Sequence, residues 1–196
     1  MNTRLFYALY LIAALAVIGL IMMLTSLWIP AKAAVAQLLL EDSWSHYQVT
    51  GEHKKPWPWA DHHAVARLVA PRQNISQVVL SGDTGRSLAF APGLTEGIDS
   101  NAAKVISAHR DTHFRFLEDV AINDTLILEQ GKSAAQYTIL ATEIVDATKV
   151  KVDPSVIPNG LILVTCYPFD APTAGGPLRY LVFAEKTTPT IQQYVM

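Results

Sequence analysis

The sequence predicts an all-β domain, in which seven or eight short strands close or nearly close into an antiparallel barrel with short helices. A transmembrane helix precedes it. Three observations carry this. Leu5 to Ile29 is apolar and uncharged. Downstream of Ala64, short runs rich in aliphatic and β-branched residues recur, separated by turn residues. Little sequence of helical period lies between those runs.

Taken in order, the apolar stretch comes first. As a helix at ~1.5 Å per residue, Leu5 to Ile29 would span about 37 Å, more than the ~30 Å hydrocarbon core. A cleaved signal peptide is the rival, with Ala31-Lys32-Ala33 as a small-residue cleavage site. The stretch exceeds the usual apolar core of such peptides, about 7–15 residues, which favours an uncleaved anchor. Arg4 on one side and Lys32 on the other give a weak orientation signal. The arrangement expected is residues 1–4 in the cytoplasm, 5–29 in the membrane, 30–63 as a linker and 64–196 exported. Helix-favouring residues continue to about Asp42. Ser43 to Asp61, which ends its basic stretch in Lys54-Lys55-Pro56-Trp57-Pro58-Trp59, reads as an extended connector. Trp57 and Trp59 are expected to pack on the domain or rest at a membrane interface.

Strands are predicted at Val65–Ala70, Gln77–Leu80, Lys104–His109, Thr125–Leu128, Ala135–Val145, Leu161–Cys166 and Arg179–Glu185. Turn signals fall at Ser81-Gly82-Asp83, Ala91-Pro92-Gly93, Gln130-Gly131-Lys132 and Pro158-Asn159-Gly160. In the long strand Tyr137, Ile139, Ala141 and Val145 should share one face. Short helices are expected at Phe114–Val120 and in the stretch before Ala102.

The totals narrow the function. A chain of 196 residues suits one domain and an appendage, and 51% hydrophobic residues can fill a core. A net charge of -2 argues against nucleic-acid binding. The single cysteine excludes an internal disulfide framework and a thiolate-rich zinc site.

That cysteine, Cys166, closes the buried run Leu161-Ile162-Leu163-Val164-Thr165, and Pro168 stops the strand soon after. A thiol where a rigid strand meets a loop can be both held and exposed. Val105-Ile106-Ser107-Ala108 delivers His109, and Arg179 opens the last strand. An imidazole raises the thiolate fraction of a nearby cysteine and can protonate a leaving amine. A guanidinium can face a developing oxyanion. Cys166, His109 and Arg179 thus form a candidate nucleophile, acid/base and oxyanion partner, with Arg110 competing for the last role. The plainer reading is a membrane-tethered binding or scaffold module with an inert, buried thiol. His109, Asp111 and His113 could instead form a metal trio, but on a strand end the spacing lacks the helical context that would aim them together. His62 and His63 are a weaker pair still, pointing opposite ways if extended.

Three separated motifs sharpen this: Ala108-His109-Arg110-Asp111-Thr112 with Phe114 and Leu117, Leu163-Val164-Thr165-Cys166, and Leu178-Arg179-Tyr180. In order and spacing they resemble the sortases, membrane-anchored cysteine transpeptidases, over about residues 64–186. His-Arg-Asp-Thr-His-Phe and Thr-Cys-Tyr-Pro-Phe-Asp look most like the Gram-negative, proteobacterial class. Ala108 departs from the glycine that many members carry there. The resemblance implies an eight-stranded barrel and catalysis by Cys166, His109 and Arg179. It places Ala108, Val145, Pro158, Thr165 and Tyr167 at the substrate site. It implies a secreted protein substrate with a C-terminal sorting signal of Leu-Pro-x-Thr-Gly type, an amine acceptor left open, and a catalytic domain outside the inner membrane. No cofactor is expected, since no compact carboxylate cluster suggests calcium.

Overall fold

The computed structural model describes residues 3–95, 101–173 and 175–187. The chain divides into two compact units between Leu38 and Leu39. Helix α1 runs from Thr3 to Thr50 with Pro30 inside it. Its N-terminal part is long and apolar enough to cross a membrane, and its large side chains, from Tyr7 to Val35, are exposed.

In the second unit α1 extends eight residues beyond the expected end at Asp42, and burial explains why. Leu40, Ser43 and Trp44 are buried against Ala64, Val78, Leu80 and Ala91, with Tyr47, Trp57 and Phe90 packed beside them. Tertiary packing of this face outweighs the mediocre helix propensity of Ser, Trp, His and Tyr. The Ser43 hydroxyl donates to the Lys54 carbonyl at 2.5 Å and accepts from the Ala64 amide at 3.4 Å. Gly51 ends the helix at φ +78°, its amide donating to the Tyr47 carbonyl. Trp57 packs into the domain, whereas Trp59 stays 83% exposed.

Eight strands follow: β1 Ala64–Ala70, β2 Ile75–Ser81, β3 Gly93–Thr95, β4 Lys104–Ser107, β5 Thr125–Gln130, β6 Ser133–Asp146, β7 Leu161–Cys166 and β8 Leu178–Thr187. They close into a barrel in the order β1-β2-β3-β4-β7-β8-β6-β5. β1 shows the logic: it alternates buried with half-buried residues, sending Ala66, Leu68 and Ala70 into the core. The core is filled by Ile106, Phe114, Leu117, Leu126, Leu128, Tyr137, Ile139, Leu163 and Val182 among others. Each fully buried Leu, Ile or Phe side chain contributes about 1.5–3 kcal/mol by leaving water.

The barrel differs from the sequence expectation in three places. It is not wholly antiparallel, because β2 pairs with β3, and β4 with β7, in parallel. β3 arises inside the apparent turn Ala91-Pro92-Gly93. Gly93 is there for clearance: a Cβ would collide with the carbonyl oxygen of Gly82. In β6, Ala141 is exposed rather than sharing the buried face of Tyr137 and Ile139, because the pairing with β8 shifts register between Ile139 and Ala141, and past that shift Val145, although buried, pairs with Arg179 on the opposite face. A 3-10 turn at Arg115–Asp119 occupies the predicted helix at Phe114–Val120. A second short helix, α2, forms at Gly85–Leu88. The helix expected before Ala102 falls largely outside the described residues.

Asp124 ties the start of β5 to the turn after β1. Its carboxylate accepts from the Ala121 amide at 2.9 Å, Gln73 Nε2 at 2.9 Å and Arg72 Nη1 at 2.8 Å. Burial pushes its pKa up, but these donors together hold it below the ordinary value. A depressed folded pKa adds stability above the unfolded value that is lost as pH falls through the folded one. Asp124→Asn is expected to cost about 1–3 kcal/mol at neutral pH. Urea unfolding should show the gap to the parent narrowing once the pH drops below about 4.

Candidate functional site

The site is built by register. β4 and β7 are parallel, with Lys104 beside Leu161 and Ser107 beside Val164, so both strands end at the same rim. Past the last ladder pair the contact persists: the Ala108 amide donates to the Val164 carbonyl at 3.2 Å, and the Thr165 hydroxyl donates to the Ala108 carbonyl at 2.8 Å. His109 therefore leaves β4 at the level where β7 ends in Cys166. β4 stops at Ser107, two residues short of the predicted end. The chain then turns, the His109 carbonyl accepting from the Thr112 and Phe114 amides.

On the other side β7 and β8 run antiparallel, with Cys166 directly opposite Arg179. Arg179 is in turn opposite Val145 of β6. Residues opposite one another project from the same face. Cys166, Arg179 and Val145 therefore form a row on the outer face, while their neighbours Thr165, Tyr180 and Val182 serve the inner one. His109, two residues past Ser107, continues that outer parity. Its ring is exposed, and Cys166 is half-buried. An inert-thiol module favours a fully buried cysteine, whereas Cys166 is half-buried.

The remaining expected residues divide. Tyr167 begins the loop after the cysteine, its amide donating to the Leu178 carbonyl and its ring stacked 6.2 Å from Tyr180. Thr165 and Ala108 are buried, and their side chains face the barrel interior, so their part is to hold β4 to β7. Pro158 is exposed beside Gly160 at the foot of β7, with Asn159 bonded to the Asn101 carbonyl. That foot lies about 17 Å from Cys166 at ~3.3 Å per residue.

Arg110 has a different place from the one its sequence position suggests. It is 5% exposed. Nε donates to Asp111 Oδ1 at 2.9 Å, Nη1 to the Pro168 carbonyl at 2.6 Å, and Nη2 to the Ala171 carbonyl at 3.2 Å. So engaged, its guanidinium is turned to Asp111 and the loop after Cys166. Arg115 adds a bond from Nη1 to the Phe169 carbonyl at 2.7 Å. Arg179 Nη1 donates to the carbonyls of Gly176 and Leu178 at 2.7 and 2.9 Å, at the far end of the same loop. Asp111 is committed to Arg110, and its bond to that guanidinium holds its carboxyl below the ordinary range. Among the described residues no three His, Cys, Asp or Glu side chains gather in a metal-binding arrangement.

Sequence reasoning gave His113 no role apart from a metal. Burial lowers its pKa first, and the neighbouring His109 adds to that, against a hydrogen bond to the Phe90 backbone. A second imidazole, its basicity lowered chiefly by burial, thus stands within electrostatic reach of His109.

The sortase domain profile matches residues 68–187, more than half of the sequence. This chain belongs to the sortase family. Sortase D of Bacillus subtilis (strain 168) is 37% identical over 95 residues, 46% of each chain, so this sortase is matched over about half the length of that relative. Among solved structures, the sortase D5 transpeptidase of Clostridium perfringens superposes with a TM-score of 0.59 at 18% identity, covering 79% of this chain and 99% of that one. Sortase A of Corynebacterium diphtheriae gives 0.55 at 19% identity, covering 81% and 87%. At such identities these structures speak for the fold, and the eight-stranded barrel is theirs.

The hydroxyl of Thr165 fastens the two strand ends through its bond to the Ala108 carbonyl. Thr165→Val keeps the volume but leaves the Ala108 carbonyl without that donor. It is expected to destabilise the fold by about 1–2 kcal/mol, visible as a lower denaturant midpoint at unchanged m-value.

Proposed function

We propose that this sortase is a membrane-anchored cysteine transpeptidase acting on the C-terminal sorting signal of a secreted protein. The observation that carries the reading is the register that sets Cys166 opposite Arg179 at the rim where β4 delivers His109. The relative from C. perfringens is described as a transpeptidase, which agrees with it.

The Cys166 thiolate attacks the carbonyl carbon of the scissile peptide bond, in a signal of Leu-Pro-x-Thr-Gly type. The electron pair of the C=O moves to oxygen, and Arg179 faces that charge with Nε and Nη2. Collapse of the intermediate breaks the C–N bond. His109 as imidazolium protonates the departing amine, leaving a thioester on Cys166. Neutral His109 then takes a proton from the incoming amine as it attacks the thioester, and the thiolate leaves. Without an amine, water completes the hydrolysis. Val145 offers an apolar wall beside Arg179, and Tyr167 borders the loop after the nucleophile.

Leu5–Ile29 serves as an uncleaved single-pass anchor in the inner membrane, with residues 1–4 inside and the barrel from 64 on the periplasmic side; of the stretch 30–63 between them, the part from Leu40 packs on the barrel. The assignment to the Gram-negative class rests on His109-Arg110-Asp111-Thr112-His113-Phe114 and on Thr165 to Asp170.

The deciding experiment uses the full chain in detergent with a fluorogenic Leu-Pro-x-Thr-Gly peptide and an added primary amine. The parent should yield a thioester on Cys166 by mass spectrometry and an amine-dependent product. Cys166→Ala should lose at least about a thousand-fold in turnover with its melting temperature unchanged. Turnover that survives in Cys166→Ala would reject the reading.

A further inference from the structure

The loop that leaves the cysteine is held from the other side of the site by a side chain that the mechanism above does not use. Arg110 follows His109 in sequence but turns inward, where it is 5% exposed. Its guanidinium spans three acceptors: the Asp111 carboxylate and the carbonyls of Pro168 and Ala171. Pro168 is two residues past the nucleophile. A flexible neutral donor could satisfy one of those carbonyls, but only a planar fork reaches all three groups in one geometry. A cation withdrawn this far from water is costly unless it is well paired. Its charged partner here, Asp111, has a side chain that is 62% exposed. Simple packing would be served as well by an apolar residue of similar size, so the retained charge calls for a use.

We propose that Arg110 is a positioning residue for Cys166, clamping the segment that leaves the nucleophile and fixing a positive charge at the strand end that carries the thiolate. This rests on the reading of Cys166 as the nucleophile. The guanidinium is bonded to the carbonyl of the second residue past the sulfur. Its pKa is raised first by the bond to Asp111, against burial, and then by the charges of Asp111, Cys166 and Asp170. Arg179 differs in kind, since it holds the exposed end of the loop near Gly176. The two arginines therefore divide the work. Arg110 sets the resting orientation of the nucleophile, and Arg179 meets the substrate.

The test uses the full chain in detergent and iodoacetamide as the probe, because Cys166 is the one thiol it can alkylate. This reads the thiol without any substrate, so it stands apart from peptide turnover. Arg110→Ala is expected to slow alkylation about ten-fold at neutral pH. The rate should rejoin that of the parent near pH ~10, where a thiol ionises unaided. Arg110→Lys keeps the charge but cannot reach three acceptors. It should recover much of the alkylation rate at neutral pH while kcat for the peptide stays about ten-fold or more below the parent, with KM unchanged. Alkylation by Arg110→Ala that matches the parent across the pH range overturns the proposal, as does a loss of equal size at every pH. If Arg110→Ala does not fold, as judged by its melt, Arg110→Lys decides. A kcat equal to that of the parent overturns the clamp, and the KM-neutral loss upholds it. Failure of the nucleophile reading would show separately, as peptide turnover by Cys166→Ala.

Discussion

The site depends on β4 and β7 running in the same direction. Parallel pairing brings two C-terminal strand ends to one rim, and Cys166 and His109 are each at or just past such an end. Had these strands paired antiparallel, His109 would leave at the foot of β7, about 15–20 Å from the sulfur. Parallel neighbours need a crossover, and here β5 and β6 supply it before the chain returns as β7. The antiparallel turn back into β8 then sets Arg179 opposite Cys166. Two registers, one on each flank of β7, thus fix three groups that are far apart in sequence. The bond from Thr165 to the Ala108 carbonyl continues the first register past the point where backbone pairing ends.

Rigidity around the sulfur is distributed unevenly, and the unevenness suits acyl transfer. Pro168, Phe169 and Ala171 have their carbonyls held by Arg110 and Arg115, and the rings of Tyr167, Phe169 and Tyr180 pack together against the core. From Pro172 to Pro177 the described residues of the same loop are exposed, and Gly175 sits at φ +96°. A nucleophile needs a fixed direction of attack. The groups that admit and release a peptide need room. On the proposed reading one loop provides both, because its first residues are tied to the β4–β5 connection and its described later residues are exposed.

How far the sequence discloses this arrangement follows from the range of each interaction. β7 is legible to the residue, since Leu161 to Cys166 is an apolar run stopped by a proline. The catalytic candidates are legible because three motifs agree. β3 is hidden: three residues starting at Gly93 carry no period, and that glycine signals a close approach to Gly82 rather than a turn. Parallel pairing is hidden too, because hydrophobic pattern sets which face is buried and says nothing of strand direction. Thr165 and Ala108 illustrate the same limit. Their motif position suggests contact with substrate, yet a period of two turns both side chains inward. Arg110 reads as a rival to Arg179 until the backbone carbonyls of a loop nearly sixty residues away come into view.

The connector ahead of the barrel is part of the same construction. Trp44 and Tyr47 on α1 pack with Trp57 in the second core, and Trp57 meets Phe90 edge-on at 4.9 Å. The Phe90 backbone accepts a hydrogen bond from His113, and His113 feels the charge of His109. Contacts therefore run from the end of the helix, through the loop between β2 and β3, to His113, four residues past His109. Contiguity is not coupling, but it has a consequence for the limits of the domain. The first strand begins at Ala64, whereas the second core already draws on Leu40 and Trp44 of α1. A fragment cut at the first strand would lose Trp44 and Leu40 from the second core and leave Val78, Leu80 and Phe90 uncovered. The folding unit is thus longer than the barrel, and its extra length lies on the side that supports His113.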